Sequence, residues 1–364
     1  MTTPSMVGQR TLWQRNSARG LAAAIGIASL LGLVPTFVHE PMLLHVLIMV
    51  FVAVAQGAAW NILGGYAGQH SVGHAAYFGM GAYSTMMTIE VWHQSTLVGI
   101  ALATSSAVVL ALGIGTITFR LRGPYFVLAS ISVAEIIRLG ALECKTLTRG
   151  AEGILLTRIP TLELGNSSLS ITGKVPHFYA SLGLAVIAIA ASWTVLHSKL
   201  GYYLQAIRED QDAARSLGIN LTLCKNIALC ISATFTAWAG SLWALYVKFL
   251  DPNLAFGLDI SVQMVLIAII GGIGTILGPV IGAIVLVLLS ETLRNPKWLV
   301  AVDIVAPDSP FVAFVQQYLS SAHVLFYGIL VVVVILFAPD GLMGVLRKRV
   351  PRWPSQFGAS RHAS

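Results

Sequence analysis

Charged residues are scarce in this chain. Asp, Glu, Lys and Arg make up 10% of its 364 residues, whereas 56% of the residues are hydrophobic and the mean hydropathy is +0.79. Soluble domains carry about 25% charged residues, and a soluble globule of this composition would expose apolar patches large enough to aggregate. The composition therefore excludes the soluble globular classes and predicts an integral membrane protein.

Residues for catalysis, metal binding and nucleotide binding are also lacking. Cys144, Cys224 and Cys230 give no disulfide framework, and the scattered histidines form no Cys/His cluster with metal-ligand spacing. The run GNSSLSITGK at 165–174 lacks the first glycine of a phosphate-binding loop and the Ser or Thr after its lysine. We therefore expect a transport subunit rather than an enzyme, with no cofactor or metal of its own. If ATP drives this protein, another chain binds the ATP and its Mg²⁺.

Long apolar runs are what the chain has instead. Runs of about 20 apolar residues are typical of helices that cross roughly 30 Å of hydrocarbon. Ten such segments are predicted, at 21–38, 42–63, 75–92, 96–119, 124–140, 179–196, 227–247, 260–273, 276–293 and 322–338. The fifth and the eighth are short, as broken or re-entrant helices are. We expect an all-α integral membrane protein, a polytopic bundle of about 8–10 transmembrane helices with Gly-broken segments.

The basic residues predict how this bundle lies in the membrane. A tail at 1–20 precedes a single transmembrane domain at 21–345, and a basic tail follows at 346–364. In a ten-span arrangement, both tails and the loop at 197–226 fall on the side that collects most Lys and Arg. That side is predicted to be the cytoplasm, because cytoplasmic flanks retain basic residues. The net charge of +7 indicates membrane topology and contact with anionic lipid, and we expect no nucleic-acid binding.

The loop at 197–226 is polar yet patterned. Apolar residues recur at helical spacing in it, at Leu204, Ile207, Ala214 and Leu217. Charged residues lie between them, at Arg208, Glu209, Asp210 and Asp212. This pattern predicts a short amphipathic helix that ends at Gly218. Such a helix either lies on the membrane surface or docks on a partner protein.

Part of this loop resembles a known motif. DAARSLG at 212–218 is similar to the EAA loop of ABC-importer permeases, the coupling helix that sits in a groove of the cytoplasmic ATPase. Asp212 replaces the usual Glu of that motif, and the Leu-Pro that often closes it is missing. The wider run AIREDQDAARSLGIN at 206–220 resembles the branched-chain amino acid permeases of the LivM type. The resemblance implies these ATPase-coupling residues: Arg208, Glu209, Asp210, Asp212, Ala213, Ala214, Leu217 and Gly218.

Four further segments resemble that subfamily in order and spacing. They are Asn61–Tyr83, Leu121–Leu139, Ile270–Ala283 and Phe337–Gly344. The resemblance implies a permease subunit of an ABC importer for branched-chain or related amino acids, multi-pass in the bacterial inner membrane with both termini cytoplasmic. The implied partners are a second, related permease chain, two cytoplasmic ATPase subunits and a periplasmic substrate-binding protein, besides membrane lipid. Urea and short-amide permeases of the same superfamily are the alternative for the solute.

Glycines interrupt the chain between the second and third predicted spans, where the flanks are apolar enough to stay at membrane depth. Irregular backbone at that depth lines a cavity or is buried in protein. The predicted translocation-path residues of this segment are Gly64, Gly65, Gly68, Gln69, Ser71, Gly73 and His74. Their polar groups would bind a polar solute or satisfy the unpaired peptide groups of the segment. The alternative is close helix packing, which is the interpretation favoured for Gly274, Gly278 and Gly282.

Two charged residues fall inside the fifth predicted span. Glu135 and Arg138 stand three residues apart, so they can pair on one helical face and offset part of the cost of charge in lipid. The pair either fixes this helix against a neighbour or belongs to the translocation path, where it would contact the zwitterionic head of an amino acid.

Two other classes of protein have similar features. A secondary carrier or channel would also contain Gly-broken helices, but it needs no ATPase dock and usually has buried ionisable groups for coupling. A membrane scaffold that transports nothing would tolerate bulky residues at Gly65, Gly68 and His74.

Overall fold

The structure, a computed structural model, describes residues 30–37, 40–164, 167–170, 173–294, 325, 328–329 and 341–344. Its helices, numbered along the described chain, are α1 Val34–Phe37, α2 Pro41–Gly64, α3 Ala75–Glu90, α4 Thr96–Thr118, α5 Pro124–Glu143, α6 Lys145–Thr148, α7 Lys174–Leu196, α8 Lys199–Glu209, α9 Gln211–Ser216, α10 Leu221–Val247, α11 Pro252–Phe256, α12 Leu258–Gly271 and α13 Gly278–Arg294. Residues 341–344 are also helical. The strands are β1 Ile154–Leu155, β2 Thr161–Leu164, β3 Ser167–Ser170 and β4 Phe249–Leu250.

Six helical segments of the described chain are long and apolar enough to cross a membrane. They are α2, α4, α5, α7, α10 and the α11–α12 segment. The predicted all-α membrane fold is therefore confirmed. The first predicted span lies largely outside the described residues, and the tenth lies almost wholly outside them.

Hydropathy predicted the short helices only in part: the eighth predicted span is short, as α12 of 14 residues, but the fifth is not. The fifth predicted span is α5, a full 20 residues long. The prediction that it is short was wrong, because the helix continues through Ala141, Leu142 and Glu143. The third predicted span is only 16 residues long as α3, and the ninth is 17 residues long as α13. At 1.5 Å per residue, α3 measures about 24 Å, less than the hydrocarbon layer.

Helix α2 is the centre of the bundle, and α4 and α5 lie at its edge. The apolar window of α2 is 72% buried, whereas the windows of α4 and α5 are each 22% buried. Helix α2 packs against α7, α10, α12 and α13. On the edge helices, large apolar side chains such as Ile117 and Ile136 are exposed, as expected for helices that meet lipid or another membrane chain.

Short antiparallel strands and side-chain contacts close the end of the bundle opposite to α8 and α9. There β1 pairs with β4, and β2 pairs with β3. The Glu90 carboxylate accepts hydrogen bonds from the Thr157 hydroxyl and from two backbone N–H groups. These contacts attach the segment after α5 to the ends of α3 and α10.

Glycines set the distance between α3 and α10. A Cβ at Gly81 would lie 2.1 Å from the Ala237 carbonyl oxygen, and a Cβ at Gly240 would lie 2.1 Å from the Phe78 carbonyl oxygen. Both obstacles are backbone atoms, which cannot rotate away as a side chain would. The two helices therefore touch along small residues, the packing that membrane helices use in place of a hydrophobic driving force.

We expect Gly81→Ala and Gly240→Ala each to lower the stability of the protein by about 1–3 kcal/mol, because the added methyl separates α3 from α10. Thermal unfolding in detergent measures the change. Gly113→Ala in α4 is the matched control, since its Cβ would meet nothing within 4 Å. Equal melting temperatures for the three variants would contradict the close approach of α3 and α10.

Candidate coupling and translocation sites

The polar loop forms two helices, α8 and α9, rather than the single helix that was predicted. Asp210 separates them: its backbone is extended, and its carboxylate accepts hydrogen bonds from the N–H groups of Asp212 and Ala213. An Asp in this role caps a new helix and competes with continuation of the old one. As predicted, the second helix stops before Gly218, whose φ of +82° suits a glycine. The side chain of Asn220 then caps α10.

The break at Asp210 decides which apolar side chains point inward. Leu204, Ile207 and Ala214 are buried against the bundle, as the spacing predicted. Leu217 does not share their face and is 80% exposed, because it follows the second, reoriented helix. Ala213 is exposed as well, whereas Ala214 is 2% exposed and packs within its own chain. Of the predicted ATPase contacts, Ala214 is thus the one that the bundle itself covers.

Two polar contacts attach α9 to the bundle. The guanidinium of Arg122, in the short connection between α4 and α5, donates hydrogen bonds to both oxygens of Asp212, at 2.9 and 2.8 Å. This pairing holds the pKa of the Asp212 carboxyl below its ordinary value. The Lys225 ammonium of α10 donates to the Gln211 amide oxygen of α9 at 3.1 Å. A displacement of α9 would therefore be transmitted to the start of α5 and to α10.

The other two charged residues predicted for coupling are both exposed, but they differ in their contacts. Arg208, near the end of α8, extends towards the bundle and donates a hydrogen bond to the Gly65 carbonyl oxygen at 2.8 Å. Glu209, the last residue of α8, is exposed.

Residues 65–74, here called the re-entrant segment, run from α2 into the bundle without regular structure. The segment starts beside Arg208 of α8. It ends at His74, whose Nε2 lies 2.8 Å from the Ser232 hydroxyl. Ser232 is 11 residues after Leu221, the first residue of α10 (232 − 221), which corresponds to about 16 Å along the helix axis. Irregular backbone therefore enters the membrane-spanning bundle here, as the glycine pattern predicted.

Most polar groups of the re-entrant segment bind protein. The Ser71 hydroxyl accepts from Gly73 N–H and contacts His74 Nδ1, and the Ser71 carbonyl accepts from the Trp60 indole. The Ser130 hydroxyl of α5 accepts from Val72 N–H. Gln69 is buried, and its side-chain oxygen has no hydrogen-bond partner among the described residues. Ser71 and His74 thus satisfy the irregular backbone and its neighbours, which was one of the two predicted uses.

A pocket lies between the re-entrant segment and α5. It is small, with space for about one water molecule. Ser71 and Gly73 line it from the predicted path, facing Phe126 and Ser130 of α5. Gly73 passes so close to α5 that its Cβ would lie 2.4 Å from the Ser130 carbonyl oxygen. This conformation is closed at that contact, and separating α5 from the re-entrant segment would enlarge the pocket.

Glu135 and Arg138 pair as predicted but lie away from this pocket. Arg138 donates to both oxygens of Glu135, and it also donates to the Asn253 side-chain oxygen of α11. The pair therefore fixes α5 against α11. Glu135 comes two residues after Val133, which lines the pocket, and so it points about 200° away around the helix. The structure does not bring the pair together with the other predicted path residues.

The second glycine-rich run combines helix packing with a tight loop. Gly278 and Gly282 of α13 lie against α12, where a Cβ would be 2.4 Å from the Gly272 carbonyl oxygen and 1.9 Å from the Ile267 carbonyl oxygen, respectively. The predicted packing role is confirmed for these two residues. Gly274 lies in the connection between α12 and α13 with a φ of +78°, so it is not part of a helical face. Gly64 is the last residue of α2, and it lies against the Trp60 ring of the same helix.

Sequence reasoning missed several residues that build these sites. Asn61 binds the connection between α12 and α13, Ser232 and Ser130 hold the re-entrant segment, and Arg122 holds α9. A signal existed for Asn61, because an isolated amide in an apolar span indicates a bonding partner inside the bundle. The roles of Ser130 and Ser232 depend on contacts between distant parts of the chain.

Comparison with known proteins agrees with this architecture. The sequence profile of the family described as "Branched-chain amino acid transport system / permease component" matches residues 42–337. The high-affinity branched-chain amino acid transport system permease protein LivM of Salmonella typhimurium is 27% identical over 271 residues, 68% of this chain and 62% of the relative. LivM of Escherichia coli K12 is also 27% identical, over 266 residues and the same shares of both chains.

A second group of relatives matches over a shorter stretch. The autoinducer 2 import system permease protein LsrC of Enterobacter sp. strain 638 is 30% identical over 144 residues, 37% of this chain and 42% of LsrC. The matches to LivM span about three fifths of the LivM chains, 62% of their length. The family match covers most of the present chain, and it agrees with the helices of the structure. This chain is a membrane protein that belongs to the family of branched-chain amino acid transport system permease components.

Proposed function

We propose that this chain is the membrane-spanning permease subunit of an ABC importer in the bacterial inner membrane. The observation that carries the proposal is the α8–α9 unit, which packs on one end of the bundle and presents Ala213 and Leu217 to solvent. Leu217 follows directly after α9 and is 80% exposed, and together with the exposed Ala213 it offers an apolar surface that a partner protein would bury. The proposed partner at this surface is a cytoplasmic ATPase subunit, so the α8–α9 side faces the cytoplasm.

The same contacts suggest how ATP hydrolysis moves the bundle. When the ATPase subunits close, they push α9, and the Arg122–Asp212 pair transmits the push to the start of α5. Phe126 and Ser130 of α5 form the wall of the pocket beside the re-entrant segment. Displacement of α5 would open that contact, which is the change that alternating access requires. ATP and Mg²⁺ bind on the partner ATPase subunits.

The proposed solute is a branched-chain or related amino acid. Both LivM relatives are named for branched-chain amino acid transport, and membership of their family supports the same solute class here. The remaining proposed partners are a second, related permease chain and a periplasmic binding protein that delivers the solute. Neither terminus of the chain is described by the structure, and the proposal places both in the cytoplasm.

Uptake into proteoliposomes tests this proposal. The tagged chain is purified from its native membrane, and its complex is reconstituted and supplied with the periplasmic fraction of the same cells, [¹⁴C]leucine, ATP and Mg²⁺. We expect an ATP-hydrolysing chain to co-purify and uptake to require ATP. Gradient-driven uptake by the chain alone would indicate a secondary carrier or channel instead. A complex that assembles but transports neither leucine nor urea would favour the scaffold.

The Arg122–Asp212 pair gives a separate prediction. Asp212→Asn removes the charge while keeping the shape, and we expect uptake per ATP hydrolysed to fall roughly threefold as the pair weakens. Exchange of the two residues in Arg122→Asp/Asp212→Arg is expected to restore uptake. Because the folded pKa of Asp212 is lowered, the pair is intact above the ordinary Asp pKa and is lost only as pH falls through the lowered value. Uptake that is the same for all three proteins would show that the pair transmits nothing.

A further inference from the structure

The Arg208 side chain lies where two glycine-rich segments of the chain meet. Its Nη1 donates to the Gly65 carbonyl oxygen at 2.8 Å, across a separation of 143 residues. Gly65 begins the re-entrant segment after α2. Gly274, in the connection between α12 and α13, lies beside the same nitrogen and the same carbonyl oxygen. One guanidinium from α8 therefore lies against two interruptions among the described helices.

The glycines leave room for this side chain. A Cβ at Gly68 would lie 3.1 Å from Arg208 Cγ, and a Cβ at Gly274 would lie 2.6 Å from Arg208 Nη1. Both glycines also have positive φ, +67° and +78°, which other residues rarely adopt. The backbone thus turns at these two positions in a way that only glycine allows easily, and the turns form a cradle for the arginine.

Asn61 joins the two segments beside the arginine. Its side-chain oxygen accepts from Gly274 N–H at 2.8 Å, and its side-chain nitrogen donates to the Thr275 carbonyl oxygen at 2.9 Å. Asn61 belongs to the last turn of α2, so α2 and the α12–α13 connection are held together there. A displacement of Arg208 would therefore act on one joined structure.

We infer that Arg208 is a positioning residue that couples movement of the α8–α9 unit to the two glycine-rich segments, a role that rests on the proposed ABC importer function. The sequence placed Arg208 among the contacts to the ATPase. In the structure its guanidinium is directed to the chain's own backbone, whereas the exposed apolar residues of the docking surface, Ala213 and Leu217, lie beyond the break at Asp210. The arginine is thus the connection on the bundle side of the unit.

The test compares four forms of the complex purified from the native membrane: unmodified, Arg208→Ala, Gly274→Ala and the double variant. For each form, the co-purifying ATPase, the rate of ATP hydrolysis and the uptake of [¹⁴C]leucine are measured. We expect Arg208→Ala to keep its ATPase subunits and to lose roughly tenfold in uptake per ATP hydrolysed, since a charge-assisted hydrogen bond is removed. Arg208→Lys should recover part of that loss, because an ammonium can also donate to a carbonyl oxygen.

The double variant separates the arginine contact from backbone strain. Alanine at residue 274 is strained whether or not Arg208 is present, so that strain cancels in the double-mutant cycle. We expect the double variant to couple no worse than Gly274→Ala alone, because the arginine contact is already lost in that single variant. Fully multiplicative losses would overturn the inference, because the two sites would then be independent. Lys199→Ala is the matched control, because it removes an exposed cation at the start of α8, the helix that carries Arg208. It should leave the ratio of leucine uptake to ATP hydrolysis unchanged.

Two other outcomes would also overturn the inference, and they differ from a failure of the proposed function. If Arg208→Ala releases the ATPase that the unmodified chain retains, Arg208 belongs to the docking surface. If the variant melts earlier but keeps its ratio of uptake to hydrolysis, Arg208 only stabilises the fold. If the unmodified chain brings no ATPase and takes up leucine without ATP, the importer proposal fails, and the inference fails with it.

Discussion

A complex that carries Leu217→Arg is expected to lose its ATPase subunits during purification. Leu217 is 80% exposed in the isolated chain, and it stands at the end of α9, where the proposed partner docks. Burial of a leucine side chain contributes about 2 kcal/mol, so its loss weakens binding by roughly 30-fold. The introduced guanidinium adds the cost of removing a charge from water. Co-purification and pull-down at increasing salt measure the change.

The fold of the Leu217→Arg variant should be unaffected, since the side chain makes little contact with its own bundle. Thermal unfolding of the permease chain alone checks this. Leu155→Arg is the matched control, an exposed leucine on β1 at the opposite end of the bundle, and it should retain the ATPase. Ala214→Glu is less informative, because Ala214 is buried and its replacement disturbs the chain itself. If Leu217→Arg holds its ATPase as tightly as the unmodified chain, α9 is not the docking surface.

Hydropathy predicted the fold class because a chain that crosses lipid must present long apolar helices to it. Within the part of the chain that the structure describes, six apolar segments form helices long enough to cross a membrane. Hydropathy was less accurate at the ends of helices, because it scores composition and not hydrogen bonding. The third predicted span begins where α3 begins, at residue 75, but α3 ends at Glu90, two residues before the predicted end. The fifth continues as a helix to Glu143, three residues beyond its predicted end.

The sites were predicted less completely, because their contacts join residues far apart in the chain. Local signals sufficed for Gly218 and for the Glu135–Arg138 pair, which lie within one turn of their partners. The break at Asp210 also had a local signal, an Asp that precedes a helix start, but the apolar spacing on both sides concealed it. No local pattern tells that Arg208 bonds to Gly65 or that His74 lies against Ser232, 158 residues away.

Gly73→Ala is expected to abolish uptake. The added Cβ would lie 2.4 Å from the Ser130 carbonyl oxygen and 3.0 Å from its carbonyl carbon, so the re-entrant segment and α5 must separate. We expect a loss of stability of about 1–3 kcal/mol from this overpacking, together with loss of the closed contact that the transport cycle uses. Leucine uptake and thermal unfolding are measured on the same purified complex.

Gly183→Ala in α7 is the matched control for this contact, since a Cβ there meets nothing within 4 Å. Replacement of a glycine inside a helix by alanine stabilises it by about 0.5–1 kcal/mol, so this variant should keep full uptake and melt no earlier. Full uptake by Gly73→Ala would mean that the re-entrant segment does not rest on α5 during transport. Loss of uptake with the complex still assembled would instead favour a transporter over a scaffold, because a scaffold does not require this contact to open and close.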